Sequence, residues 1–268
     1  MKTRIGIVTY ARNEQDYLPK TLSAIGSQTL KPSAVVLVDD GSSDRTAEIA
    51  TRYGWDVVSR SDRGYSAITT SALAEVVNAG LERLESARLD YIQIIGADDV
   101  LPDCYLQVVA ERMEADPDLA IAGGRSCFDR RGSPYPRGLR MVRRRCWNPP
   151  RYPVIPGWET YIIYKVLKEG HKVTKYDDIV YYPQRRPGQN WNWEGLGRTM
   201  RSLGYHPLVL AGRLIKVGLR SPLNAGKTLR GYLAETSICD IADWIRTYQR
   251  ERILASISFL SPMFQVPT

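Results

Sequence analysis

The sequence predicts an α/β fold: a doubly wound, mostly parallel sheet followed by a C-terminal helical appendage. Three observations carry that expectation. Short apolar runs alternate with stretches of helical period through the first hundred residues, the order of a parallel sheet with helices on its faces. The run Ala34-Val35-Val36-Leu37-Val38 contains no polar residue, as a strand buried on both faces requires. Polar clusters follow three of the apolar runs, at residues 9–14, 39–40 and 98–99, and ligands of such sheets bind at the carboxyl ends of strands.

The first strand is expected over residues 4–9, followed by a loop over 10–15 and a helix over 16–27. Pro19 falls in that helix's first turn, where its missing N–H costs nothing. Leu18, Leu22 and Ile25 then recur at helical spacing. Pro32 interrupts the chain before the strand at 34–38, and Asp44 or Ser43 can cap a helix at 45–53. A strand at 56–59 leads through Asp62-Arg63-Gly64-Tyr65 to a long helix over 67–86. Ile92-Gln93-Ile94-Ile95 is the next strand, and it ends in Gly96-Ala97-Asp98-Asp99 before Pro102 stops the ladder. A helix over 105–113 and a strand at 120–122 precede a connection over 125–151 that is rich in Arg, Gly and Pro. Asp129 is its sole acid, and connections of this length are lids or binding loops.

Further on, a helix over 158–169 is closed by Gly170, and strands are expected at 172–175 and 179–182. A loop from Pro183 and the aromatic Trp191-Asn192-Trp193 lead into a helix ending near Gly204. After His206-Pro207 the chain is helical, apolar and basic, with helices at 208–220, 227–234 and 238–257 and a loop containing Pro222 and Gly226.

With 268 residues the chain can bury a sizeable core, as one large domain or one domain with an appendage. A formal net charge of +8 implies anionic partners: nucleotides, phospholipid surfaces or nucleic acid. No run of roughly eighteen apolar residues occurs, so no spanning helix is expected. The N-terminus enters a strand without the apolar region of a signal peptide. Cys104, Cys127, Cys146 and Cys239 are widely spaced, with no C-x-x-C pair, which reads as reduced cytosolic thiols. His171 and His206 are the only histidines, so His-based metal or triad chemistry has little material.

Side chains alternate along a strand, so adjacent acids at its end can take different tasks. One of Asp98 and Asp99 can hold a divalent cation and the other a sugar hydroxyl; a solvated turn is the bland alternative. Carboxylates together with water and a diphosphate form the usual ligand set of Mg2+ or Mn2+.

Val8-Thr9-Tyr10-Ala11-Arg12-Asn13-Glu14, Val38-Asp39-Asp40-Gly41-Ser42-Ser43-Asp44-Arg45-Thr46 and Gly96-Ala97-Asp98-Asp99 together resemble the family-two glycosyltransferases. Gly123-Gly124, Gly157-Trp158-Glu159 and Gly204-Tyr205-His206-Pro207 are similar to a prokaryotic subgroup of that family with C-terminal amphipathic helices. The resemblance implies the nucleotide-diphosphosugar transferase (GT-A) fold and inverting, metal-dependent sugar transfer. It divides the chain into a catalytic domain over 1–207 and C-terminal amphipathic helices over 208–268. Residues 1–124 would then be the nucleotide-sugar half and 125–207 the acceptor half.

The resemblance also assigns roles to residues. Thr9, Tyr10, Arg12 and Glu14 match the motif around the nucleoside. Asp40 matches the acid that accepts a hydrogen bond from the base, with Asp39 the fallback. Asp98 matches the ribose ligand and Asp99 the metal ligand, for Mn2+ or Mg2+. Glu159 matches the general base, against the simpler reading of a helix N-terminal carboxylate favoured by the dipole. Many relatives place a His after the strand expected at 179–182; here the sequence is Tyr182-Pro183-Gln184-Arg185-Arg186, so Arg185 or Arg186 would meet phosphate. Tyr161-Ile162-Ile163 stands where relatives often carry a second acid, leaving Glu159 as the single candidate base.

GDP-mannose is the expected donor and a UDP-sugar the alternative, because Asp40 can accept from the ring N–H of either base. The acceptor is expected to be lipid-linked, such as a polyprenyl-phosphate-linked glycan, or else a soluble glycan. A peripheral position on the cytoplasmic face of an anionic membrane is expected from the basic, apolar C-terminal helices and from the loop between Arg137 and Arg151; packing on the catalytic domain or a homodimer interface is the alternative. No nucleic-acid signature accompanies the charge, so a nucleic-acid partner is not expected. A nucleotidyltransferase would want a Gly-rich phosphate loop, and Thr9–Glu14 contains no glycine. A nucleotide-sugar binder without activity is the remaining rival.

Overall fold

The structure is a computed structural model that describes residues 3–68, 70–129, 135, 136, 138–186 and 192–260. Arg137, Trp191 and the tail from residue 261 lie outside the described residues, as does part of the loop after Pro183. The chain forms two compact units: one of residues 1–68, 72–154 and 165–190, the other of 69–71, 155–164 and the stretch from Trp191 on.

The first unit is built on a sheet in the order β3-β2-β1-β4-β7-β6-β8-β5. Strands β1 (Ile5–Ala11), β2 (Ala34–Asp39), β3 (Asp56–Ser59) and β4 (Tyr91–Gly96) are mutually parallel, with Val8 opposite Val36 and Ile94. The apolar runs of β1 and β4, and of β2 from Val36 on, are buried on both faces as the unbroken sequence predicts, while the edge strand β3 is half-buried. Helices α1 (Leu18–Gly26) and α2 (Thr46–Arg52) connect them, and α3 (Ala72–Arg83) precedes β4. Helix α3 starts five residues later than expected. Gly80 lies where an added Cβ would strike Val8 and Val38, so the glycine lets α3 lie close on β1 and β2.

Past β4 come β5 (Asp99–Val100), α4 (Tyr105–Ala115) and β6 (Leu119–Ser126). The stretch expected as one long basic loop then returns to the sheet. Residues Arg140–Arg143 form β7, inserted antiparallel between β4 and β6, and Arg144–Cys146 form one turn of 3-10 helix. Arg140 and Arg143 are buried. Arg143 donates to the carbonyls of Leu119, Met113 and Asp116, and lies over the Tyr91 ring. It thus adds a charged donor to the carbonyls at the end of α4, which also accept from Asp116 N and Leu119 N. Arg144, Arg145 and Arg151 bind Trp147 O, Pro117 O and the Glu82 carboxylate, so these cations serve the fold.

The two strands expected at 172–182 are one, β8 (Lys172–Pro183). It pairs parallel with β6, with a register shift that carries the partner from Tyr176 opposite Gly124 to Val180 opposite Arg125. The polar Asp177-Asp178 falls in that irregularity, which is why the sequence looks like two strands with a gap. Helix α5 (Trp158–Lys168) precedes β8 and divides between the two units.

In the second unit α6 (Trp193–Ser202) and α8 (Pro222–Leu233) cross at Gly197 and Gly231, where a Cβ on either would strike the partner backbone. The expected loop at Pro222 is the start of α8: Ser221 caps it through Asn224 N, and Pro222 takes the first turn. Helix α7 (Pro207–Gly218) is capped by His206, and α9 spans Ala242–Leu260.

Replacing Arg143 by Met removes three charge-assisted hydrogen bonds, to the carbonyls of Met113, Asp116 and Leu119. Urea unfolding should show a loss of about 1–3 kcal/mol. An unchanged midpoint would show that Arg143 does not hold α4 to the sheet.

Candidate active site

Every element that ends at the carboxyl edge of β1, β2, β3 and β4 contributes a charged side chain, and the loops are tied to one another. Asn13 is left-handed (φ 55) after β1, a conformation that Asn adopts more readily than most residues. Its amide N–H donates to Ser42 Oγ at 2.9 Å, and its Oδ1 accepts from Ser43 N at 2.8 Å. Glu14 N donates to Thr46 Oγ1. The expected cap residue Asp44 accepts from Thr46 N and Gln15 N, joining the start of α2 to the loop after β1. Gly41 (φ 71) is required twice, by its conformation and by the Asp62 backbone against it.

Asp39 and Asp40 end β2 and are buried. Asp39 accepts from Ser42 N at 3.2 Å. The Asp40 carboxylate accepts from Arg63 Nη2 at 2.9 Å, and its carbonyl accepts from Arg12 at 2.5 Å. Arg12 also reaches Asp62 at 2.6 Å. Arg63 pairs with Glu75 and lies over the Tyr65 ring. Arg12 comes from the loop after β1, but Arg63 comes from the turn after β3, whose role the spacing of the sequence does not show. The rule that strand ends hold the site applies to that turn too.

Asp98 and Asp99 lie at the end of β4, fixed by pairing of Asp99 and Val100 with Pro183 and Tyr182 of β8. Arg185 follows β8 and donates to Asp98 Oδ2 at 2.9 Å and Glu14 Oε1 at 2.7 Å, with its guanidinium 4.5 Å from the Tyr17 ring centre. Gln184 holds the same junction through Asp98 O and Tyr17 O. One arginine therefore joins residues 14, 17 and 98, a bridge that sequence spacing does not show. Arg186 is exposed and makes no ion pair among the described residues. Thr9 is fully buried, with no hydrogen-bond partner for its hydroxyl, and Glu14 Oε2 is likewise buried and unpaired. Tyr10 is half-buried.

Burial pushes the Asp99 carboxyl up to about 7, and the neighbouring Asp98 charge adds to the rise. Burial also raises Glu14, against the pull of Arg185. A divalent cation fits this place: the donors are hard oxygens, and Asp99 is a half-buried carboxylate whose one hydrogen bond among the described residues is from Gly96 N. No group of three or more His, Cys, Asp or Glu side chains is arranged to hold a metal among the described residues. A cation beside Asp99 would therefore draw its further ligands from outside these described side chains.

Glu159 opens α5 in the second unit and is half-buried. Gly157 before it is left-handed (φ 83) and its carbonyl accepts from Thr160 N and Tyr161 N. The Glu159 carboxylate makes no hydrogen bond or ion pair among the described residues, so it is not folded back as a cap.

A mostly parallel sheet with an arginine-bridged set of acids at its carboxyl edge defines an α/β protein with a charged, polar site at its strand ends. The family described as "Glycosyl transferase family 2" matches residues 6–169, and the chain belongs to that family. A mannosyltransferase of Pyrobaculum calidifontis, solved "in complex with GDP-Man and Mn2+", is 18% identical with a TM-score of 0.60, over 75% of this chain and 64% of that one. Glucosyl-3-phosphoglycerate synthase of Mycobacterium tuberculosis, solved with Mg2+ and uridine-diphosphate, is 15% identical with a TM-score of 0.55, over 75% and 76%. These likenesses establish the fold, which is that of the GT-A glycosyltransferases. Among curated proteins, "Glycosyltransferase GlyA" of Streptococcus pneumoniae is 26% identical over 135 residues, 49% of this chain and 18% of that protein. The chain spans well under two thirds of that relative's length.

The raised Asp99 sets the sign of a pH effect. Its folded-state value near 7 exceeds the unfolded value near 4, so the native state holds the extra proton between them. The stability of the metal-free protein should therefore fall as pH rises from about 4 to about 7, by an amount on the order of a few kcal/mol. Urea unfolding of wild type and Asp99→Asn across this range checks it: the variant should show the flatter slope, and equal slopes would remove Asp99 as the source.

Proposed function

We propose that the chain is an inverting, metal-dependent glycosyltransferase that moves a sugar from a nucleotide-sugar to an acceptor hydroxyl. The observation that carries this reading is the junction of Glu14, Asp98, Asp99 and Arg185 at the same sheet edge as Asp39 and Asp40. Asp40 would accept a ring N–H of the base, which requires Arg63 to share or release it. Asp98 would accept from the ribose. Arg185, already drawn to two carboxylates, would turn toward the diphosphate, and Arg186 is free to join it. Asp99 would be the protein ligand of Mn2+ or Mg2+, which when bound supplies charge stabilisation to the departing diphosphate.

Glu159 is the proposed general base, and its free carboxylate supports that role over capping. It would take the acceptor's hydroxyl proton as the acceptor oxygen bonds to the sugar's anomeric carbon. The bond from that carbon to the diphosphate oxygen breaks, and the nucleoside diphosphate leaves. No covalent intermediate on the protein is needed.

GDP-mannose is the donor we favour, making the enzyme a mannosyltransferase; the Pyrobaculum likeness supports it. UDP-sugars are the competing outcome, since one relative's structure holds uridine-diphosphate. The proposed acceptor is a lipid-linked glycan met at a cytoplasmic membrane face.

Thermal stabilisation across GDP, UDP and their sugars with Mn2+ should single out the donor, because a ligand of the native state alone raises its stability. Asp99→Ala should abolish transfer and the Mn2+ dependence of nucleotide binding. Asp40→Ala should weaken donor binding by about 1.5–3 kcal/mol. Metal-dependent turnover retained in Asp99→Ala would end the assignment, and unchanged affinity in Asp40→Ala would move the base contact to Asp39.

Glu159→Gln keeps the shape but not the basicity. Its kcat should fall by about 10²–10⁴ with donor affinity intact. A variant that loses stability but keeps its turnover per folded molecule would restore the capping role.

A further inference from the structure

The net charge of +8 is not spread over the chain. Residues 195–234 contain seven Lys and Arg and no Asp or Glu. The other thirty Lys and Arg face all 29 Asp and Glu, so the remainder is nearly neutral. The arginines of the 140–151 stretch, expected to face an anionic partner, are largely used inside the fold. Of the seven, Arg198 and Arg230 pair with Glu194 and Arg201 lies over the Tyr232 ring, which leaves Arg213, Lys216 and Arg220 on and just after α7 and Lys227 on α8.

Helix α7 is apolar on two opposite sides. At 3.6 residues per turn, Val217 and the half-buried Leu210 and Leu214 form its inner side. Leu208, Ile215 and Leu219 lie on the outer side and are 60%, 64% and 84% exposed. Helix α8 repeats the pattern. Thr228 and Gly231 are buried, while Leu223 and Leu233 are 70% and 74% exposed. The two helices pack together near Gly218 and Ala225, which brings both outer sides into one surface element. Arg213, Lys216 and Arg220 line one flank of the outer stripe on α7, and Lys227 lies on α8; none of the four has an ion pair among the described residues. Exposed leucines in this number call for a cover.

We propose that the outer face of the α7–α8 hairpin docks on an anionic phospholipid surface, with the leucines and Ile215 inserted among the acyl chains and the four cations at headgroup level. Two features favour a membrane over a second copy of this chain. A face with four unpaired cations, its nearby Glu194 already held by Arg198 and Arg230, repels its own copy across a two-fold contact, whereas anionic headgroups complement it. No described helix is long and apolar enough to cross a membrane, so the attachment is parallel to the surface. This surface goes beyond the donor and acceptor reading and does not depend on it.

The test uses the full chain with phosphatidylcholine vesicles, with and without phosphatidylglycerol, at low and high salt. Wild type should co-sediment with the phosphatidylglycerol vesicles at low salt and be released as salt screens the cations. The variant R213Q/K216Q/R220Q should bind weaker by about fivefold for each charge removed. The variant I215S/L219S/L223S should lose at least about tenfold while keeping its circular dichroism, because all three side chains are exposed. Donor-dependent thermal stabilisation should be the same in all three proteins, so failure of docking and failure of donor binding are read separately. Wild type remaining in the supernatant at low salt would overturn the proposal. So would unchanged vesicle binding in the serine variant, or a vesicle-free dimer that the serine variant dissolves.

Discussion

Five carboxylates crowd the carboxyl edge of the first unit's sheet: Glu14, Asp39, Asp40, Asp98 and Asp99. Like charges about 4 Å apart at a protein surface repel by about 4 kcal/mol, so such a cluster stands only if cations are brought to it. The chain brings them from loops of its own. Arg12 comes from the turn after β1, Arg63 from the turn after β3 and Arg185 from the end of β8. Each guanidinium contacts groups from two different segments, so charge compensation also fixes the loops against one another. Asp99 is the member left without a cation of its own, held by a single amide bond. Its raised pKa expresses the same imbalance that a divalent cation would remove.

The sheet explains why these loops meet at one edge. Four parallel strands point their carboxyl ends the same way, and the right-handed helical connections return the chain to the opposite edge each time. Strand β7 runs against this order, and its insertion between β4 and β6 carries the chain from one half of the sheet to the other. A strand in the middle of a sheet is buried on both faces, so the arginines of β7 could enter only with acceptors waiting. For Arg143 the acceptors are the carbonyls at the end of α4 and at Leu119, which give the buried guanidinium its partners. The exposed ends of the sheet are short strands, β3 with a charged residue at its start and β5 of two residues, which limits pairing with other chains.

Much of this was legible from the residues alone where one principle acted without competition. Strands β1, β2 and β4 follow from apolar runs, and the acid clusters at their ends mark the site. Strand β7 was hidden because arginine in a Gly- and Pro-rich stretch ordinarily means solvent. Only the tertiary acceptors make Arg140 and Arg143 interior residues. Strand β8 read as two because Asp177-Asp178 occupies a shift in register. Pro222 read as a break because Pro ends helices more often than it begins them, yet Ser221 before it is a good cap. Within the site, residue types were readable and partners were not. Arg185 stood out as a cation near a site of negative charge, but its bond to Glu14 spans the whole first unit in sequence. The Arg63 contact to Asp40 depends on the path of the turn after β3.

The distribution of charge separates two physical problems that the total of +8 conflates. In the first unit, acids and arginines are matched locally, and the match fixes the loops at the sheet edge rather than drawing anions from a distance. On α7 and α8, Arg213, Lys216, Arg220 and Lys227 have no ion pair among the described residues, so their field extends a Debye length into solvent, about 10 Å at moderate salt. Apolar exposure on the same two helices has a different range, acting only at contact. Long-range attraction with short-range insertion is the combination that an interfacial helix needs, since either alone holds a surface weakly. A basic composition is therefore not one property of this chain. It is a neutral, finely paired edge in one unit and an unpaired, apolar-backed face in the other.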